Sequence, residues 1–132
     1  MDKVKYVILL ACIILILFYL TCPSERHLGR GFVYFEDPSS IQYWRRNDSR
    51  TIDIGPDIIS YNNTWNYLLV KQKPDKYKNI FDLETHYPYG RDSVYYWFID
   101  KRTKEIVGPI TYNEMETYLN DIDLSSLIVK LQ

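Results

Sequence analysis

Hydrophobic and polar positions divide the chain into two regimes. From Tyr6 to Leu20 the sequence is an unbroken apolar run, YVILLACIILILFYL, behind Lys3 and Lys5 and ahead of Thr21-Cys22-Pro23. At 1.5 Å per residue the run makes a helix of about 22 Å. A hydrocarbon core of about 30 Å asks for roughly 20 residues, so the run is short for a span and fits the apolar region of a signal peptide, with the two lysines as its basic flank. Val4, Thr21 and Cys22 extend it if Lys5 snorkels back to the interface. In either case the basic end stays in the cytoplasm and Ser24 onward is exported.

Beyond the run the pattern becomes strand-like, with short β-branched and aromatic segments cut by turn clusters. Pro23–Gly31 is polar with two glycines and reads as a tether. Gly31–Glu36 is a strand, stopped by Asp37-Pro38-Ser39-Ser40, and Ile41–Trp44 is a short second one. Arg45–Arg50 is loop-like. Thr51–Ile54 alternates, with Ile52 and Ile54 on one face, until Gly55-Pro56-Asp57 breaks it. Ile58–Tyr61 precedes an Asn62-Asn63 turn. Trp65–Gln72 is a strand of open register, facing the core through Trp65, Tyr67 and Leu69 or through Leu68 and Val70. Lys73–Lys78 is a loop, Asn79–Tyr89 holds a helical turn around Ile80, Phe81 and Leu83, and Tyr87-Pro88-Tyr89-Gly90 is a turn.

The C-terminal third is the clearest. Ser93–Asp100 and Glu105–Val107 form a hairpin ended by Gly108-Pro109. Thr111-Tyr112-Asn113-Glu114 is a capping box, and Ile110 with Met115 a hydrophobic staple across it. Met115, Tyr118, Leu119 and Ile122 continue as a helical stripe, so Thr111–Ile122 is the main helix. Ser125–Leu131 reads as a final short strand. No repeat is present.

Composition sharpens this picture. Thirteen tyrosines in 132 residues favour strands, where an apolar ring with a polar tip suits half-wet positions. From Cys22 onward 14 Lys or Arg face 16 Asp or Glu, a net of −2, with no basic field for nucleic acid. No cysteine follows Cys22, so the exported part has no internal disulfide and relies on ordinary core packing. That suits a bacterial envelope protein better than a small secreted animal module. The sequons at Asn47 and Asn62 matter only in a eukaryotic secretory pathway.

Candidate chemistry is sparse. His27 and His86 lack the spacing partners of a zinc or catalytic site, and no serine-nucleophile or phosphate-loop motif occurs. No cofactor or metal is expected. Trp44, Trp65 and Trp97 either pack structurally or line a sugar or peptide groove, the packing role being favoured. Tyr87, Tyr89, Tyr95 and Tyr96 are the expected exposed aromatics and the candidate binding surface.

Cys22, at the end of the apolar run, resembles the acylated cysteine of bacterial lipoproteins, where the thiol takes a lipid and becomes the mature N-terminus. The preceding Tyr19-Leu20-Thr21 departs from the usual pattern at Tyr19 and Thr21. The other reading of Cys22 is a juxtamembrane cysteine on an uncleaved signal anchor. Further along, a G-F-V-Y strand, Y-L-L-V-K-Q-K-P at Tyr67–Pro74, Y-W-F-I-D-K at Tyr96–Lys101 and G-P-I-T from Gly108 followed by an acidic helix resemble small uncharacterised bacterial envelope lipoproteins. That resemblance implies no catalytic residue. Trp97–Leu119 is also similar to the strand–Gly-Pro–helix segment of GYF-like domains, which bind proline-rich peptides.

The expectation is therefore an α+β protein. Residues 1–22 are signal peptide or anchor, 23–31 a tether, and 32–132 one exported domain with an antiparallel, tyrosine-rich sheet and one main C-terminal helix. Its expected place is the bacterial cell membrane or envelope, facing outward. Its expected role is a non-enzymatic accessory protein that binds another envelope protein. The alternatives are a carbohydrate- or peptide-binding module using exposed Trp and Tyr and, less favoured, an unrecognised hydrolase.

Overall fold

The structure, a computed structural model, describes residues 2–21, 25–36, 38–44, 52–76 and 85–131. Helix α1, Asp2–Thr21, is 20 residues long, about 30 Å by its rise and so matched to a bilayer core. Its stretch Lys3–Leu20 is long and apolar enough to cross a membrane, a test that a signal sequence near the N-terminus also passes. Every side chain from Lys3 to Leu20 is exposed.

Two four-stranded antiparallel sheets follow in sequence order. The first, sheet A, holds β1 (Glu25–Gly29), β2 (Phe32–Glu36), β3 (Ser39–Tyr43) and β4 (Asp53–Ile54). Sheet B holds β5 (Ile58–Asn63), β6 (Tyr67–Gln72), β7 (Tyr95–Asp100) and β8 (Glu105–Ile110). Helices α2 (Tyr112–Asp121) and α3 (Ser126–Val129) close the chain.

Side-chain alternation in each strand builds three layers. Leu28, Phe32, Ile41, Tyr43, Ile52 and Ile54 of sheet A meet Leu68, Val70, Tyr95, Trp97 and Ile99 of sheet B in one buried core. On the opposite face of sheet B, Leu69, Tyr96 and Phe98 pack against Met115, Leu119, Leu127 and Ile128 from the helices. From Tyr67 onward both candidate registers of Trp65–Gln72 thus face a core, because sheet B is covered on its two sides, whereas Trp65 lies before the strand and is exposed. Strand β7 is buried from Tyr95 through Ile99, as expected of a strand enclosed between two layers.

The expected α+β class holds, with two sheets where the sequence suggests one. The tether does not extend to Gly31. Glu25 pairs with Phe35 and His27 with Val33, so β1 belongs to sheet A. Arg30 and Gly31, at φ +52° and +89°, form the left-handed two-residue turn that joins β1 to β2. β1 is an edge strand whose only buried residue is Leu28, so it lacks the apolar alternation that marks a strand. The Asn62-Asn63 turn lies further on, since β5 runs through Asn63 and Thr64 closes the turn by accepting at its hydroxyl from the Tyr67 amide.

Gly108-Pro109 does not end the hairpin but lies inside β8. β8 is an edge strand with a register shift opposite Tyr96–Phe98, the setting in which a strand tolerates proline. Gly108 is required there: a Cβ would sit 2.7 Å from the Tyr96 carbonyl oxygen, at φ +136°. Ser125–Leu131 contains the short helix α3 in place of the expected strand. The capping box is as expected, with the Glu114 amide donating to the Thr111 hydroxyl and the Thr111 amide to the Glu114 carboxylate. The helical turn expected around Ile80, Phe81 and Leu83 lies outside the described residues, as does the Arg45–Arg50 loop.

Candidate functional site

Strand β2 of sheet A is apolar on both faces. In β2, Phe32 and Tyr34 turn toward sheet B, so alternation sends Val33 and Phe35 to the outer side. Register aligns His27, Val33, Gln42 and Asp53 in one row across the sheet. Glu25, Phe35 and Ser40 form the next row. Together with Gly31, Pro38 and Trp44 these two rows, Asp53 excepted, line a recess of about 650 Å³.

Its floor is Val33 and Phe35, and its rim carries the hydrogen-bonding groups of Glu25, His27 and Gln42. Trp44 stands at one end, 74% exposed, with its amide anchored to the Gly31 carbonyl at 2.6 Å. Gly31 makes room for this approach, because a Cβ there would meet the Tyr43 ring at 3.0 Å. Among the described residues no group of three or more His, Cys, Asp or Glu is placed to hold a metal ion. The recess thus combines an apolar floor with polar groups at its edge.

The sequence-derived surface tyrosines are placed otherwise. Tyr95 is fully buried, its hydroxyl donating to the Gly90 carbonyl and accepting from the Tyr89 amide, both at 2.8 Å. Tyr87 is buried against it, with ring centroids 5.1 Å apart. Tyr96 is buried under α2, edge-on to Tyr112, and burial raises its hydroxyl pKa. Only Tyr89 of the four is exposed, at 59%. The expectation of an exposed cluster is corrected for Tyr87, Tyr95 and Tyr96: they pack in cores because β7 is covered by sheet A on one side and by α2 on the other.

The tryptophans divide as well. Trp97 is a core residue whose indole N–H donates to Gln72 at 2.8 Å. Trp65 is exposed beneath the Arg30 guanidinium, 5.4 Å from its ring centroid. His86 is exposed, and Cys22 lies outside the described residues. Sequence reasoning missed His27, Val33 and Phe35 as one surface. The signal for it was the F-V-Y-F run of β2, apolar at both parities in a strand with one packed face.

No curated protein and no solved structure matches the chain. Residues 32–129, from the start of β2 to the end of α3, match the family described as protein of unknown function (DUF3997), and the chain belongs to that family.

Proposed function

We propose that the protein is a membrane-anchored, non-enzymatic binding module on the outer side of a bacterial cell envelope, and that it engages another envelope protein through the outer face of sheet A. The observation that carries this reading is the recess itself. Exposed Trp44 and half-buried Phe35 present apolar surface along this recess, beside the buried Val33. Exposed apolar surface rimmed by polar groups is characteristic of interaction sites. The anchor is α1 retained in the bilayer or a lipid on Cys22. The lysines at its start put the domain outside.

A photo-crosslinking residue at Trp44 of the full chain, compared with one at exposed Glu116 on α2, tests the surface in native membranes. The expected result is a reproducible adduct with one envelope protein from position 44 alone. Equal adducts from both positions, or none, overturn it. Intact mass tests the anchor: a chain beginning at Met1, or at Cys22 with acyl groups, supports it, and an unlipidated chain beginning after α1 refutes it. A second reading, a carbohydrate or peptide ligand, is favoured by the exposed indole of Trp44 beside Gln42, His27 and Glu25. Saturable quenching of Trp44 fluorescence by a glycan or peptide, lost in Trp44→Leu, identifies that case.

A further inference from the structure

Outside α1 the two most exposed large apolar side chains among the described residues are Trp44 at 74% and Trp65 at 73%. They come from different sheets, Trp44 from the end of β3 and Trp65 from the β5–β6 connection, yet both are held to the β1–β2 turn. The Trp44 amide donates to the Gly31 carbonyl. Arg30 Nε donates to the Trp65 carbonyl at 3.3 Å and its Nη2 to Asn66 Oδ1 at 3.2 Å, with the guanidinium 5.4 Å from the Trp65 ring centroid. One turn thus gathers two exposed indoles and a cation seated on neutral oxygens. Only residues 22–24 separate the end of α1 from the start of β1, and the four chain steps from Thr21 to Glu25 reach at most about 14 Å.

We propose that this turn docks on the interfacial layer of the same membrane that holds the anchor, through Trp44, Trp65 and Arg30; the inference rests on the anchored reading above. An indole is an apolar plate with one N–H donor, and the headgroup layer, wet on one side and apolar on the other, is where tryptophan gathers in membrane proteins. A guanidinium beside it keeps its charge among the headgroups while its stem lies along apolar surface. The reach of the chain permits the contact. Strand β1 is five residues, roughly 17 Å, and it starts within about 14 Å of the anchor, so its far end meets the surface when the strand lies along the bilayer or inclines toward it. A ligand in the sheet A recess engages Trp44 alone, since Trp65 does not line it; a membrane contact accounts for both indoles. Docking also holds the Trp44 end of the recess at the bilayer surface, where a partner in the same membrane is within reach.

The test is tryptophan fluorescence of the full chain in phosphatidylcholine nanodiscs, with and without bromine near the top of the acyl chains as a short-range quencher. Helix α1 has no tryptophan and Trp97 is buried in the core, so quenching reads Trp44 and Trp65. The expected result is a loss of emission in the parent chain, smaller in Trp44→Phe and in Trp65→Phe and absent in the double variant. Tyr89→Trp, added to the double variant, puts an indole beside Tyr95 at the opposite end of sheet B and stays unquenched. Emission insensitive to bromine in a chain that co-migrates with the nanodisc overturns the docking and leaves the anchor standing. Equal quenching in Tyr89→Trp means tumbling against the bilayer and overturns it as well, as does quenching carried wholly by one indole. A chain that does not enter the nanodisc overturns the anchor and the docking together.

Discussion

Gln72 is the polar residue on which the join between the two sheets depends, and replacing it with leucine exposes how. It ends β6 on the inner face, after Leu68 and Val70, and is fully buried. Its side-chain amide donates to the Pro56 carbonyl at 2.8 Å and the Tyr87 hydroxyl at 3.1 Å, and accepts from the Trp97 indole at 2.8 Å. One side chain thus ties the β4–β5 connection to β7 and to the segment before it. Gln72→Leu keeps the volume and removes every one of these bonds. The buried Trp97 N–H and Pro56 carbonyl are then left without this partner, at about 1–3 kcal/mol each.

Relief from burying an amide returns part of that cost, so the expected net loss is about 2–4 kcal/mol. Urea unfolding of the full chain in a neutral detergent, followed by far-ultraviolet circular dichroism, measures it. The companion variant Trp97→Phe removes the indole donor, and the double variant leaves no orphan between the two positions. The losses of the two single variants should therefore exceed that of the double by about 1–2 kcal/mol. A loss below about 0.5 kcal/mol for Gln72→Leu, or strict additivity, would refute the hydrogen-bond account and leave Gln72 a space-filler.

Two further outcomes are expected. The Glu114 carboxyl is held below its ordinary range by the Thr111 amide and hydroxyl. Its folded pKa is the lower one, so its contribution is present above the ordinary carboxylate pKa and is lost as pH falls through the folded value. Glu114→Gln should accordingly reduce stability at neutral pH and flatten the acid limb of a stability–pH curve; an unchanged acid limb contradicts the capping box. Gly108→Ala should cost about 2 kcal/mol or more, because its backbone is left-handed and a Cβ meets the Tyr96 carbonyl at 2.7 Å. A melting temperature within error of the parent would show that β8 shifts to accept the methyl group.

What could be read in advance follows from where local signals are strong. The β7–β8 hairpin and α2 carry their own instructions: a dense run of strand formers, a capping box, and an apolar stripe through Met115 and Leu119. Ile52 and Ile54 were legible as one face because alternation survives even in a two-residue strand. β1 was not legible, since Glu25, Arg26 and His27 are exposed and only pairing with β2 makes them a strand. α3 was missed because Ser125–Leu131 is short and its apolar positions suit either period. The burial of Tyr87, Tyr95 and Tyr96 depends on a second layer arriving from elsewhere in the chain, and no local pattern records that. Gln72 and Lys101 are polar residues in buried positions, visible only once their partners are in place.

The two sheets also explain why binding is sought on sheet A. β7 is apolar at consecutive positions, and both of its faces are covered: Trp97 and Ile99 by sheet A, Tyr96 and Phe98 by the helices. β2 repeats that pattern in Phe32, Val33, Tyr34 and Phe35, but on its second face only Val33 is buried and Phe35 stays half-buried. Strands with one wet face normally alternate apolar with polar, so a doubly apolar strand at the outside of a sandwich represents burial left incomplete within the described chain. Trp44 extends the same surface at the end of β3, where a charged residue would serve solubility better.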